Sequence, residues 1–188
     1  MENVILGLLI VQSLTLYEIN QAFKQGISMF YSASYGSIQT ALKSLLARGC
    51  IVFEERVEGG RNKKVYSVTP AGKDAFFAWM TAETPLSKLE VTGLSKVYFL
   101  GLIPEMETRR AIVSEIVQKV RIMETVLADL DTEIRGYPIP VELKEVVHYS
   151  RKTLDYGRGA HAFARIWFEE LLEEMDGLEK KPTGSAFG

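Results

Sequence analysis

The chain has 188 residues, 47% of them hydrophobic and 24% charged, with a mean hydropathy of +0.03, one cysteine and a formal net charge of −2. Enough apolar side chains are present to bury a core, which excludes global disorder. The longest apolar run, Val4 to Val11, falls far short of the roughly 20 residues that cross a bilayer.

No basic leader precedes that run, so neither a secretory signal nor a membrane span is expected. A single cysteine makes no intramolecular disulfide, which fits a reducing, cytoplasmic setting. Val4, Ile5, Leu8 and Leu9 recur at helical spacing and predict a first helix of about ten residues. Thr15-Leu16-Tyr17-Glu18 has the form of a capping box and opens a second helix, which Gly26 is placed to end. After a polar and aromatic loop, Ser34 serves as the N-cap of a third helix running to Gly49, with Ile38, Ala41, Leu42, Leu45 and Leu46 on one face. Its other face carries Ser37, Gln39, Thr40, Lys43 and Ser44, donors and acceptors with one cation and no acid. That composition suits base edges and phosphates.

The period then changes from helical to alternating. Residues 51–57 and 64–68 read as strands joined by Glu58-Gly59-Gly60-Arg61-Asn62-Lys63, a hairpin with glycines at a basic tip. Thr69-Pro70 opens a fourth helix, with Thr69 as N-cap and Pro70 where its missing N–H costs nothing. Helices followed by a two-stranded hairpin form the order of a winged helix-turn-helix, whose third helix enters the major groove while the hairpin tip, the wing, reaches the flanking backbone.

The residues of these elements carry a family resemblance. Ile5-Leu6-Gly7-Leu8-Leu9, Leu16-Tyr17-Glu18-Ile19, Tyr35-Gly36-Ser37-Ile38 with Ala41-Leu42 and Leu45, Gly49-Cys50-Ile51-Val52 and Lys64-Val65-Tyr66-Ser67-Val68-Thr69-Pro70-Ala71-Gly72 together resemble the PadR family of bacterial transcriptional regulators. The resemblance covers about the first eighty residues. It implies that Tyr17, Ser34, Tyr35, Ser37, Gln39, Thr40 and Lys43 lie on or beside a DNA-facing surface, with Arg61, Asn62, Lys63 and Lys64 forming the wing. Two positions depart from the family pattern: Leu16 stands where glycine is usual, and Gln39 stands where tyrosine is usual. Gln39 has the amide that pairs with adenine, so the second change bears on sequence preference.

Beyond a hinge at Thr84-Pro85-Leu86-Ser87, a connector from Lys88 to Gly101 leads to a long helix. Val113, Ile116, Val120, Met123, Leu127, Leu130 and Ile134 follow at alternating spacings of three and four, a heptad seam that Ile112, Val117 and Val126 widen. Tyr137-Pro138-Ile139-Pro140 breaks this helix. Another follows from about Val141 to Met175, with Leu154, Trp167 and Leu171 on its apolar side. Gly157, Gly159, Ala160 and Ala164 form a patch of small residues that predicts a close helix crossing. In the longer members of the family this region makes the dimer. The seam residues Val113, Ile116, Val120, Met123, Leu127 and Leu130, with Leu154, Trp167 and Leu171, are therefore the expected dimer contacts.

The fold expected is mostly α with a small β-hairpin: residues 1–83 a winged helix-turn-helix, 84–178 long antiparallel helices for dimerisation, and 179–188 a loose tail. Residues 1–80 hold eight basic and six acidic side chains, net +2, while the remainder holds fourteen and eighteen, net −4. The whole-chain −2 thus conceals a mildly basic first half. His148 and His161 do not share a helix face, and there is no phosphate loop or set of nucleophile, base and orienter, so no metal, cofactor or enzymatic chemistry is expected. The function expected is a homodimeric DNA-binding repressor on an inverted-repeat operator in double-stranded DNA. An apolar or aromatic small-molecule effector is expected to act on it, with Trp79, Tyr98 and Phe99 as candidate contacts. The alternative is a winged-helix protein-interaction module that does not bind DNA.

Overall fold

The structure, a computed structural model, describes residues 1–25, 27–29, 31–58 and 61–179. Gly26 as a helix stop, the glycines of the hairpin tip, the Arg61 side chain and the tail from residue 180 lie outside what is described. The chain forms two compact units, one of Met1–Glu83 with Leu94–Pro104 and one of Thr84–Gly93 with the residues from Glu105 onward.

In the first unit, α1 (Glu2–Val11) buries Val4, Ile5, Leu6, Gly7, Leu8 and Leu9, nearly every face, which is why its sequence is an apolar run rather than a stripe. A Cβ on Gly7 would meet the Phe99 ring at 2.7 Å, so glycine admits that ring against the helix. A short strand β1 (Leu14–Thr15) precedes α2 (Leu16–Gln25), and α3 (Tyr35–Ala47), β2 (Ile51–Glu58), β3 (Arg61–Val68) and α4 (Pro70–Thr81) follow. The sheet has the order β1-β3-β2 and is antiparallel throughout.

Two expectations about this sheet need correction. A third strand is present, pairing Leu14 with Tyr66 and Thr15 with Val65; two residues are too few to show a period in sequence. The hairpin strands also run further, to Glu58 and from Arg61, so Arg61, Asn62 and Lys63 belong to β3 and not to a loop.

The helix ends are made as their sequences dictate. Thr15 and Glu18 close the capping box, with the Thr15 N–H donating to the carboxylate at 2.7 Å and the Glu18 N–H to the Thr15 hydroxyl at 3.2 Å. At the end of α3, Gly49 takes φ +66°, while the Gly49 N–H donates to Leu46 O and the Cys50 N–H to Leu45 O. This Schellman arrangement satisfies two carbonyls that the helix leaves open. The Thr69 hydroxyl accepts from the Gly72 N–H and donates to the carbonyl of Gly49, joining the end of α3 to the start of α4. Ile5, Ile19, Ile38, Leu45, Phe76 and Met80 form the fully buried centre, where Phe76 meets Phe99 edge-on at 5.7 Å. Lys96, buried, donates to the carbonyl of Ala82 at the end of α4.

The second unit contains the long helices α6 (Met106–Gly136) and α7 (Lys144–Glu179); α5 (Leu89–Tyr98) divides between the two units. Ion pairs Arg110–Asp176, Arg121–Glu169, Arg165–Glu124 and Arg158–Asp131 show that α6 and α7 run antiparallel. On α7 the residues facing α6 are both apolar and cationic: Leu154 and Phe168 are buried, and Arg158 and Arg165 reach carboxylates of α6. Asp131, 8% exposed, accepts from Arg135 and Arg158 at 3.0 Å each, with Arg151 at 3.9 Å. Thr84 is anchored by its N–H and hydroxyl to the Glu115 carboxylate at 3.1 and 2.6 Å. Among the described residues the expected close crossing at the small-residue patch is not made. A Cβ on Gly157 would come only within 3.9 Å of Leu127, and one on Gly159 would meet nothing.

Candidate nucleic-acid interface

The first turn of α3 is built by a reciprocal cap. The Ser37 N–H donates to the Ser34 hydroxyl at 3.1 Å, and the Ser34 N–H donates to the Ser37 hydroxyl at 2.9 Å. The Ser37 hydroxyl further donates to the Ser34 carbonyl at 2.7 Å, and that of Thr40 to the Gly36 carbonyl at 3.0 Å. Three hydroxyls of the expected recognition face thus serve their own backbone, as Ser and Thr commonly do. Tyr35, Gln39 and Lys43 project exposed from the same face.

Three separate segments meet at this surface. Thr15, Leu16, Tyr17, Glu18, Gln39, Lys63, Lys64 and Tyr66 line a groove of about 670 Å³. It brings the start of α2, the exposed edge of α3 and the strand β3 together, with the tyrosine, the amide and both lysines expected from sequence on its walls. Glu18 is the acid in this lining; hydrogen bonds from the Thr15 N–H and hydroxyl, and the charge of Lys63, hold its carboxyl below the ordinary value. Burial pushes the Tyr66 phenol up, with the nearby Tyr35 adding to the shift.

The wing is less purely basic than the tip sequence implies. Its register places Arg56 opposite Lys63 and Glu55 opposite Lys64. Lys64 Nζ lies 3.9 Å from the Glu55 carboxylate and 4.1 Å above the Phe53 ring, Asn62 donates to Glu55 at 3.0 Å, and Arg56 pairs with Glu54 at 3.1 Å. Arg56 is a further cation of the hairpin, outside the residues expected from sequence. Its signal was position: in a strand paired with β3, it falls beside Lys63.

The other expected contacts divide by burial. Val113, Ile116, Val120 and Leu154 lie in the core of the second unit, Met123, Leu127 and Leu171 are half-buried, and Leu130 and Trp167 are exposed. Tyr98 and Phe99 line a second cavity of about 470 Å³ with Leu8, Val11, Leu14, Ala22 and Leu102, rimmed by Gln12, Gln21 and Gln25. Trp79 packs on Phe76, 5.8 Å between ring centroids, and does not line that cavity. No helix among the described residues is long and apolar enough to cross a membrane.

The Negative transcriptional regulator PadR of Bacillus subtilis (strain 168) is 31% identical over 105 residues, which make up 55% of this chain and 58% of that protein. The crystal structure of Bacillus subtilis PadR in complex with operator DNA is similar at 24% identity and a TM-score of 0.45, covering 93% of this chain and 98% of that one. The structure of smu.1604c from Streptococcus mutans UA159 is similar at 23% identity and a TM-score of 0.44, covering 92% and 98%. Residues 5–78, from α1 into α4, match the family described as Transcriptional regulator PadR-like family. That segment is similar to the PadR-like family of transcriptional regulators, and the chain spans just over half the length of the curated relative it matches.

Proposed function

We propose that this protein is a dimeric, sequence-specific DNA-binding regulator, a cytoplasmic repressor without enzymatic activity, released from its operator by a small molecule. The observation that carries the reading is the groove that unites Tyr17, Gln39, Lys63 and Lys64. Lysines on the wing neutralise phosphates and set register, and Gln39 on the exposed edge of α3 reads a base through its amide. Residues 1–83 act as the reading head and 84–178 as the dimer-forming part. Two heads related by a twofold axis then read half-sites about one helical turn apart, which accounts for an inverted-repeat operator. The cavity lined by Leu8, Leu14, Tyr98 and Phe99, with glutamines at its rim, is suited to an effector with an apolar or aromatic body and a polar edge.

The test is a fluorescence-anisotropy titration of the full chain against duplexes from upstream of its own and neighbouring genes, and against random duplex, at two salt concentrations. Preference for one duplex by about a thousandfold or more is expected. Gln39→Ala should reduce that preference by about 1–3 kcal/mol while leaving random-duplex affinity unchanged. Equal affinity for every duplex at low salt overturns the regulator reading in favour of an interaction module.

A further inference from the structure

Near the C-terminal end of α6, one carboxylate is met by three guanidiniums. Asp131 Oδ2 accepts from Arg135 on its own helix and from Arg158 on α7, at 3.0 Å each, and Asp131 Oδ1 lies 3.9 Å from Arg151, two turns earlier on α7. Asp131 is buried, while its partners reach solvent: the side chains of Arg151, Arg158 and Arg135 are 32%, 43% and 59% exposed. Asp155, which falls between Arg151 and Arg158 in sequence, pairs with Lys152 at 3.8 Å.

More positive charge is gathered here than Asp131 answers. Three cations against one anion leave a net +2, and like charges held this close repel unless a further anion joins them. Hydrogen bonding is equally incomplete. Among the described residues Arg135 and Arg158 each spend one donor, on Asp131, and Arg151 at 3.9 Å stands beyond hydrogen-bond reach of it. A guanidinium carries its donors in a planar fork that fits two oxygens of one anion, so most of three forks is left unspent around a common centre.

Geometry and charge select the anion. Arg135 Nε and Arg158 Nη1 share one oxygen of Asp131, so they stand no more than about 6 Å apart, a gap that two oxygens of one phosphate bridge at ordinary hydrogen-bond lengths. A phosphate monoester carries a charge of about −1.5 to −2 at pH 7, which matches the surplus, whereas a carboxylate answers only half of it. We propose that Arg135, Arg151 and Arg158 form a binding site for a small dianionic phosphate, as the free ion or as the monoester of a small molecule, with Asp131 holding the guanidiniums together. None of these residues lines the groove or the cavity described above, and the site does not rest on the regulator reading.

Calorimetric titration of the full chain at fixed ionic strength tests it, with inorganic phosphate and glycerol 3-phosphate as separate arms that tell the free ion from a monoester, and with acetate as the carboxylate. A phosphate Kd of about 1 mM or tighter is expected, with acetate at least about tenfold weaker. Arg151→Gln and the more exposed Arg135→Gln should each weaken phosphate about tenfold, while Lys152→Gln, and Lys63→Ala with Lys64→Ala, should leave it unchanged. In phosphate-free buffer Arg151→Gln should melt no lower than the unaltered protein, because it removes surplus charge and no hydrogen bond; phosphate should raise the melting temperature of the unaltered protein and not of the variant. The site is overturned if neither phosphate binds, if both arginine variants bind as tightly, or if Arg151→Gln melts equally lower in both buffers, as the loss of a structural ion pair would make it. It is also overturned if Arg151→Gln lowers the salt slope of random-duplex affinity, which would assign the cluster to DNA backbone.

Discussion

The Glu18 carboxylate accepts from the Thr15 N–H at 2.7 Å and from the Thr15 hydroxyl at 2.8 Å, and it lies on the groove wall near Lys63. These interactions lower its pKa from the ordinary 4.5, so it favours the folded state above that value, and the contribution is lost as pH falls through the lowered one. Glu18→Gln should therefore flatten the loss of stability on acidification below about pH 4.5, read from urea melts across pH. Glu55 bears on the proposed function instead. It occupies Asn62 and Lys64, which on the proposed function a phosphate has to take from it. Glu55→Gln should tighten binding to random duplex by about twofold to fivefold, the scale of an exposed pair, as measured by anisotropy; unchanged affinity would show that Lys64 does not meet phosphate. Residue types alone could not reveal this competition. Ser37 and Thr40 were legible as polar and helix-borne, but whether a hydroxyl faces DNA or its own backbone is decided by rotamer and local geometry.

At the scale of elements, the junction between α3, β2 and α4 is a tight one in the first unit. A Cβ on Gly72 would sit 2.0 Å from the carbonyl oxygen of Cys50, which already accepts from the Thr69 N–H at 3.0 Å. Gly49 differs: its Cβ would meet nothing, and its requirement is the positive φ alone. Gly72→Ala should thus cost more than Gly49→Ala in urea denaturation, about 3 kcal/mol or more against about 1–2 kcal/mol. The caps at Thr15, Ser34 and Thr69 were legible because they are local, each made within four residues. Strand β1 was not, since what makes it a strand is pairing with residues fifty positions away. The arginines of α7 were similarly obscure. Arg158 and Arg165 look like solvated charges in sequence, yet they occupy helix positions that face carboxylates of α6.

For the whole molecule, the net charge of −2 is a poor guide to its partner. On the proposed function, DNA affinity is governed by the number of cations that meet phosphate. Each such contact lowers the slope of log affinity against log salt by about 0.9, so Lys63→Ala with Lys64→Ala should reduce the slope by about 2 per reading head and about 4 per dimer. An unchanged slope would place those lysines off the backbone. The heptad seam on α6 shows why assembly is harder to read than fold. Its period was correctly visible, but Val113, Ile116 and Val120 satisfy it inside the chain, and the exposed Tyr149, Tyr156 and Phe163 lie on α7.

By itself the sequence determined the succession of helices, the hairpin and the caps, because hydrophobic period, capping residues and glycine placement act over a few neighbouring positions. Tertiary structure decided which side chains share the groove, which wing cations are already engaged by Glu54 and Glu55, and which apolar residues of the long helices stay exposed. The reason is physical: a periodic stripe specifies that a face will be buried, whereas its partner is chosen by packing between segments distant in the chain.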